Sequence, residues 1–223
     1  MSNTNLTYLQ PFEKILKLGV DQMLHLSTGA VSSHFNVQTQ EKKSPKYLFF
    51  LKKGAIKIIT FDAFEGKHIK FLVKQGQFFG ELALANVDMP DYHAIALEDS
   101  SIGYFELDSV REQMNRNADF NLHMLLLISN RINLLENRIN QLAHKDSKTR
   151  VIEFLHSFIQ EFGSKDQNQW SVRNFLKNKE IAQLTFTSRQ TVNAVMNQLK
   201  KSKQIDFDAD YIFVKNQSLQ LSV

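Results

Sequence analysis

Between residues 119 and 143 the apolar positions fall at Leu125, Ile128, Ile132, Leu135, Ile139 and Leu142, in alternating steps of three and four. That is the 3.5-residue period of a helix that pairs with another helix along a narrow seam. The flanks are wet: Asn130, Arg131, Asn133, Asn137, Arg138, Asn140 and Gln141. Leu126, Leu127 and Leu134 widen the stripe only in its first half. A helix lying on its own domain's core carries a wide stripe throughout. This one narrows after Leu135, so a dimerisation helix is expected.

Upstream, the pattern is of two kinds. Leu9, Phe12, Ile15, Leu16 and Leu18, interrupted by Gly19, predict one or two short helices over 6–26. From 31 to 107, short runs rich in β-branched and aromatic residues alternate with turn residues. The runs are 47–51, 55–61, 68–73, 92–97 and 102–107, with glycine turns at Gly54, Gly66 and Gly76. Strands at such spacing predict an antiparallel sandwich or barrel. The phenylalanines of this block (Phe49, Phe50, Phe61, Phe64, Phe71, Phe78, Phe79) are read mainly as core, with an apolar pocket as the alternative. Within it lies Phe79-Gly80-Glu81-Leu82, a glycine ahead of a short helical segment near 82–86. Backbone N–H groups there suit an anion, and the Glu81 carboxylate suits a sugar hydroxyl. A simple closing turn explains the same residues.

Downstream, Asp146 is a good N-cap for a second helix reaching Gly163. Its wide stripe (Val151, Ile152, Phe154, Leu155, Phe158, Ile159, Phe162) marks a core element. Residues 164–169 read as a polar loop and 170–176 as a short strand. Residues 179–184 form a short helix, 185–187 a tight connection, and 188–199 a second helix capped by Thr187 or Ser188. That helix buries Val192, Val195, Met196 and Leu199. Its other face presents Arg189, Gln190, Asn193 and Asn197, then Lys200 and Lys201, without a carboxylate. Hydrogen-bond donors near a helix N-terminus and cations beyond them are what entry into a major groove requires. A solvated face usually mixes charge signs. Residues 205–214 read as a hairpin turning at Asp208-Ala209-Asp210, an acidic wing that is not expected to grip phosphates strongly.

Bulk properties narrow the field. At 223 residues there is room for one large or two modest domains. No apolar run approaches a membrane span, and no export signal is visible near residue 1, so the cytoplasm is the default compartment. The absence of cysteine removes disulfides, thiolate nucleophiles and cysteine-held zinc or iron–sulfur sites. The net charge of +4 permits an anionic partner, and from 189 to 203 there are four cations and no acidic residue. No catalytic constellation is found. The histidines His25, His34, His68, His93, His123, His144 and His156 lack the i, i+2 spacing of a barrel-enzyme metal site. No metal or cofactor is expected.

This order of parts resembles the Crp/Fnr family of bacterial transcription regulators. The likeness rests on Phe79-Gly80-Glu81-Leu82, on Ala94-Ile95-Ala96-Leu97-Glu98-Asp99, and on Ser188-Arg189-Gln190-Thr191-Val192, close to the family's Ser-Arg-Glu-Thr-Val. It implies an α+β chain: a cyclic nucleotide-binding-like β-roll over 1–118, a dimerisation helix over 119–145 and a winged helix-turn-helix over 146–223. It also implies a homodimer on an inverted-repeat DNA site, with RNA polymerase as a further partner. Arg189 and Gln190 would contact bases, and Ser188 and Thr191 phosphates. Gly80, Glu81, Leu82 and Leu135 would sit at an effector site.

The departures matter as much. Members that bind cyclic AMP carry an Arg-Ser pair shortly after the Gly-Glu; here that region is Asp88-Met89-Pro90-Asp91-Tyr92-His93. Two aspartates repel a phosphate. Where those members read adenine with a Thr-Ser pair, this chain has Leu135 and Glu136. Control by cyclic AMP is therefore not expected, and the effector is unidentified. Phe186 stands where many members have a turn glycine, and is expected to pack between the two helices. Ala194 stands where members often carry a base-reading arginine. The alternative function is a small-molecule sensor whose DNA contact is secondary.

Overall fold

The computed structural model describes residues 9, 13–26, 29–32, 46–62, 66–85, 92–166 and 169–215. His34, Phe64, the 88–91 stretch and most of 1–12 lie outside them. The chain divides into two compact units, Met1–Leu134 and Leu135–Val223.

The first unit holds two antiparallel sheets. In one, β1 (Lys14–Leu18), β9 (Ser100–Glu106), β4 (Tyr47–Lys53) and β7 (Phe78–Phe79) lie in the order β1-β9-β4-β7. In the other, β3 (Val31–Ser32), β2 (Met23–His25), β8 (Tyr92–Ala96), β5 (Ala55–Asp62) and β6 (Gly66–Lys74) lie in the order β3-β2-β8-β5-β6. The two-residue period of a strand explains how they pack. Along β4, Phe49 and Leu51 enter a core shared with Leu18, Leu24, Ile56, Ile58, Val73, Phe79, Ala94 and Ile102. Leu48 and Phe50 point the other way, into a second core with Phe78, Phe105, Leu107, Val110, Phe120 and Met124. β4 is thus apolar from Tyr47 to Leu51 because both of its faces are covered there. Phe49 and Phe79 stack at 5.3 Å, and Phe50 meets Phe78 edge-on at 4.8 Å, so these four phenylalanines are core.

Where helices were expected over 6–26, the described residues form the strands β1 and β2. Leu16 and Leu18 turn inward while Ile15 and Lys17 stay exposed, and β1 zips onto β9 with Leu16 opposite Ile102. A five-residue stretch satisfies either period, and the open edge of β9 decides between them. Leu107 does not end a strand: it begins α1 (Leu107–Arg116), whose Leu107, Val110 and Met114 close the second core.

α2 (Ala118–His144) covers the predicted pairing helix. One row of it, Phe120, Met124 and partly buried Leu127, packs on the second core. The neighbouring row is bare: Leu125 (59% exposed), Ile128, Ile132, Leu135, Ile139 (64%) and Leu142, with Leu122, Leu126 and Leu134 beside it. No helix among the described residues is long and apolar enough to cross a membrane.

The second unit holds α3 (Ser147–Phe162), β10 (Ser164–Asp166), β11 (Gln169–Arg173), α4 (Asn178–Leu184), α5 (Arg189–Lys201), β12 (Ile205–Phe207) and β13 (Tyr211–Lys215). Its sheet runs β10-β11-β13-β12. The expected loop at 164–169 contains β10, paired with β11. All three β10 residues are exposed, so this edge strand has no apolar alternation to betray it.

Asp146 caps α3 by accepting the Thr149 N–H at 2.8 Å. That bond, the first cause, together with the Lys148 N–H and its charge, holds the carboxyl below its ordinary range. A depressed folded value stabilises the ionised form. The contribution is therefore complete above the unfolded value of about 4 and is lost as pH falls through the folded one. Asp146→Asn keeps the acceptor without the charge, so melting temperatures of the variant and the parent should converge as pH falls below the ordinary carboxylate range and through the lowered folded value. A gap that stays constant from neutral pH down to acid would contradict this.

Candidate nucleic-acid interface

α4 and α5 form the helix-turn-helix. The Glu180 carboxylate reaches back to the Lys177 N–H at 3.0 Å and closes the start of α4. The turn is held by Thr185, whose hydroxyl donates to Ile181 O at 2.8 Å, and by the Thr187 N–H donating to Ala182 O at 3.0 Å. Phe186 lies in the left-handed region at φ 51°, where glycine is the usual occupant. Its side chain does not pack between the helices as expected: it is 56% exposed. Leu184, Val192, Val195 and Met196 are already buried, and the left-handed turn leaves the Phe186 side chain in solvent.

Ser188 caps α5, its hydroxyl oxygen accepting the Thr191 N–H at 3.0 Å and sharing a second bond with the Thr191 hydroxyl. Val192, Val195, Met196 and Leu199 are buried. Arg189, Gln190, Asn197, Lys200 and Lys201 are exposed, and Asn193 is half-buried. Two of these predicted contact residues have work inside the unit. The Asn193 side-chain oxygen accepts from the Asn178 amide, tying α5 to α4. Lys200 pairs with Asp206 at 2.7 Å, donates to Phe207 O at 3.0 Å and lies 4.6 Å above the Phe207 ring. It anchors the wing, and its hydrogen bond, ahead of the Phe207 N–H, holds the Asp206 carboxyl below the ordinary range. At the wing tip Asp208 accepts the N–H groups of Asp210 and Tyr211 at 2.8 and 2.7 Å, which is why an acidic residue suits that turn.

Sequence reasoning overlooked a groove of about 670 Å³ beside the start of α5, lined by Lys177, Lys179 and Arg189 with Asn174, Asn178 and Ala209. It has three cations and no carboxylate. The signal was present in Lys177-Asn178-Lys179, which reads as a plain helix start when taken alone.

In the first unit, Gly80 holds φ 81° with Phe49 only 3.1 Å from where a Cβ would stand, so a side chain would be strained there. Residues Glu81–Ala85 form one 3-10 turn. The Glu81 carboxylate, 9% exposed, accepts from Arg131 Nε at 3.1 Å. The Arg131 guanidinium lies 3.6 Å over the Phe71 ring. Burial, and then the Glu81 charge, raises the Tyr92 hydroxyl above its ordinary value. The carboxylate assigned to a sugar hydroxyl is therefore engaged by α2. Arg131 continues the row Phe120, Met124, Leu127, and was read only as part of a wet flank. Leu82 and Leu135 are exposed, and Leu135 falls in the second unit.

Residues 37–117 match the cyclic nucleotide-binding domain family. A global nitrogen regulator from Nostoc is 28% identical over 170 residues, covering 75% of this chain and 76% of that protein. The chain is similar to global nitrogen regulators over three quarters of its length. A CRP-like cAMP-activated global transcriptional regulator from Mycobacterium tuberculosis is 23% identical over 149 residues, covering 67% of this chain and 66% of that one. Among solved structures, FixK2 from Bradyrhizobium japonicum superimposes with a TM-score of 0.72 at 15% identity, over 93% of this chain and 96% of that one. A CooA variant from Carboxydothermus hydrogenoformans gives 0.69 at 20% identity, over 99% and 96%. This fold is the β-roll, long helix and winged helix-turn-helix expected from the sequence.

The exposure of Phe186 yields a test. Glycine removes a left-handed penalty of about 1–2 kcal/mol and returns part of it through the unfolded chain. Phe186→Gly should leave stability within about 1 kcal/mol of the parent, against the 3–5 kcal/mol lost when a buried phenylalanine is truncated. Urea unfolding followed by Trp170, the single tryptophan, reports on this unit.

Proposed function

We propose that the chain is a homodimeric, sequence-specific transcription regulator that binds an inverted-repeat DNA site. One observation carries the reading: α5 buries its apolar face completely and presents Arg189, Gln190, Asn197 and Lys201 outward with no carboxylate among them. Arg189 and Gln190, in the first turn of α5, read base edges. Ser188, Thr191, Lys201 and the grooved Lys177 and Lys179 lie on phosphates, and Asn193 and Lys200 hold the reader and wing in shape. The bare row on α2 pairs with the same row of a second copy, which sets two readers in successive major grooves roughly 34 Å apart. RNA polymerase is the partner through which such a regulator acts, in the cytoplasm.

Cyclic AMP is not the effector in this reading. The region 88–93 offers the cyclic phosphate no cation, Leu135 and Glu136 offer adenine no hydroxyl, and Glu81 is engaged by Arg131. A ligand that binds only the folded state raises the melting temperature, so millimolar cyclic AMP should leave it unchanged. A clear rise would overturn this part.

Selection from random duplexes should return an inverted repeat. Arg189→Ala should weaken binding to it about 5- to 150-fold, the worth of one bidentate base contact. Affinity should also fall steeply with salt, with a log–log slope of about −4 or steeper from counterion release. Recovery of no repeat, or binding indifferent to Arg189, would sink the proposal.

A further inference from the structure

Arg150, on α3, donates three hydrogen bonds to three backbone carbonyls of two separate segments. Its Nε reaches Thr185 O at 3.0 Å and its Nη2 reaches Phe186 O at 2.9 Å, both in the turn between α4 and α5. Its Nη1 reaches Lys145 O at 2.7 Å, in the link between α2 and α3. Nothing in the base-reading face involves it. We infer that Arg150 is the positioning residue for DNA readout: it fixes the reader turn and ties it to the link that follows the long helix.

Three observations combine. The carbonyls at the end of α4 have lost their helical donors, and a cation is the favourable partner there. Phe186 sits in the left-handed region, a conformation that a bulky residue holds only when its surroundings impose it. Arg150 supplies that hold on the carbonyls of Phe186 and of the residue before it. The planar fork meets three acceptors at once, which a lysine ammonium on a flexible stem cannot reproduce. The direction in which Ser188 and Arg189 leave the turn therefore depends on a side chain that touches no base. Any movement of the Lys145 carbonyl is felt at the turn through the same guanidinium.

This assignment rests on the DNA-binding reading above, and the test separates the two. Full-length protein is titrated against the selected inverted repeat and against a scrambled duplex of equal length. Arg150→Lys should lower affinity for the repeat about 10-fold or more while changing affinity for the scrambled duplex less than about 2-fold, because charge is kept and geometry is lost. Adding Phe186→Gly to Arg150→Lys should restore at least half of the lost discrimination on a logarithmic scale, since glycine adopts the turn unaided. If Arg150→Lys melts below the assay temperature, the doubly substituted chain and Arg150→Gln with Phe186→Gly are compared with Phe186→Gly alone. Near-equal discrimination among these supports the assignment, and a loss in both Arg150 variants opposes it. Equal loss on both duplexes, no loss, or no rescue by glycine overturns the role of Arg150. If the parent protein itself prefers neither duplex, the DNA-binding reading fails instead.

Discussion

A row of leucines and isoleucines on α2 has no cover among the described residues of one copy of the chain. Leu125, Ile128, Ile132, Leu135, Ile139 and Leu142 are each at least 40% exposed. Each large aliphatic side chain gains roughly 1.5–3 kcal/mol on full burial. Such a row on both partners outweighs an association cost of about 4–15 kcal/mol only if most of it is buried together. The helix meets this constraint by dividing its surface. Phe120, Met124, Leu127 and Arg131 face the first unit, and the adjacent row is kept for another helix. The split accounts for the polar flanks: a wider stripe would lose the register that a 3.5-residue seam defines.

The rest of the molecule is built so that a helix-turn-helix can be presented rigidly. In the second unit, apolar packing sets α5 in place through Val192, Val195, Met196 and Leu199. Polar clamps then set its orientation. Asn178 to Asn193 ties the two helices, Lys200 to Asp206 and Phe207 ties the wing, and Arg150 ties the turn. The left-handed Phe186 is the strained point, and Arg150 holds its carbonyl. In the first unit, the Gly80-Glu81 turn is engaged internally by Arg131 over Phe71. The carboxylate that the sequence suited to a sugar hydroxyl here secures the helix.

Patterns of period two and 3.6 made most elements legible. β4, β5, β6, β8, α2, α3, α4, α5 and the wing hairpin all fall where alternation, caps and turns predict them. The failures have physical causes. β1 is too short for its period to be unique, and it is a strand because β9 offers an edge. β10 is wholly polar and exposed, so hydrophobicity cannot mark it. α1 carried the signal of Leu107, Val110 and Met114, hidden by the strand that runs directly into it. The candidate sites were harder. Arg131 and Glu81 are separated by 50 residues, and no local pattern joins them. Arg150 looks like one more polar position on a core helix until the carbonyls it meets are known. Phe186 was recognised as an odd turn residue, but a left-handed backbone directs its side chain outward rather than between the helices.

The central claim is that the bare row of α2 pairs two copies of the chain. Sedimentation equilibrium on the parent protein and on Leu135→Asp tests it most directly. The account predicts a parent species of twice 25.8 kDa at micromolar concentration, and a folded monomer when a charge is placed mid-seam. A parent protein that sediments as a monomer, or a Leu135→Asp variant that remains dimeric, would contradict it.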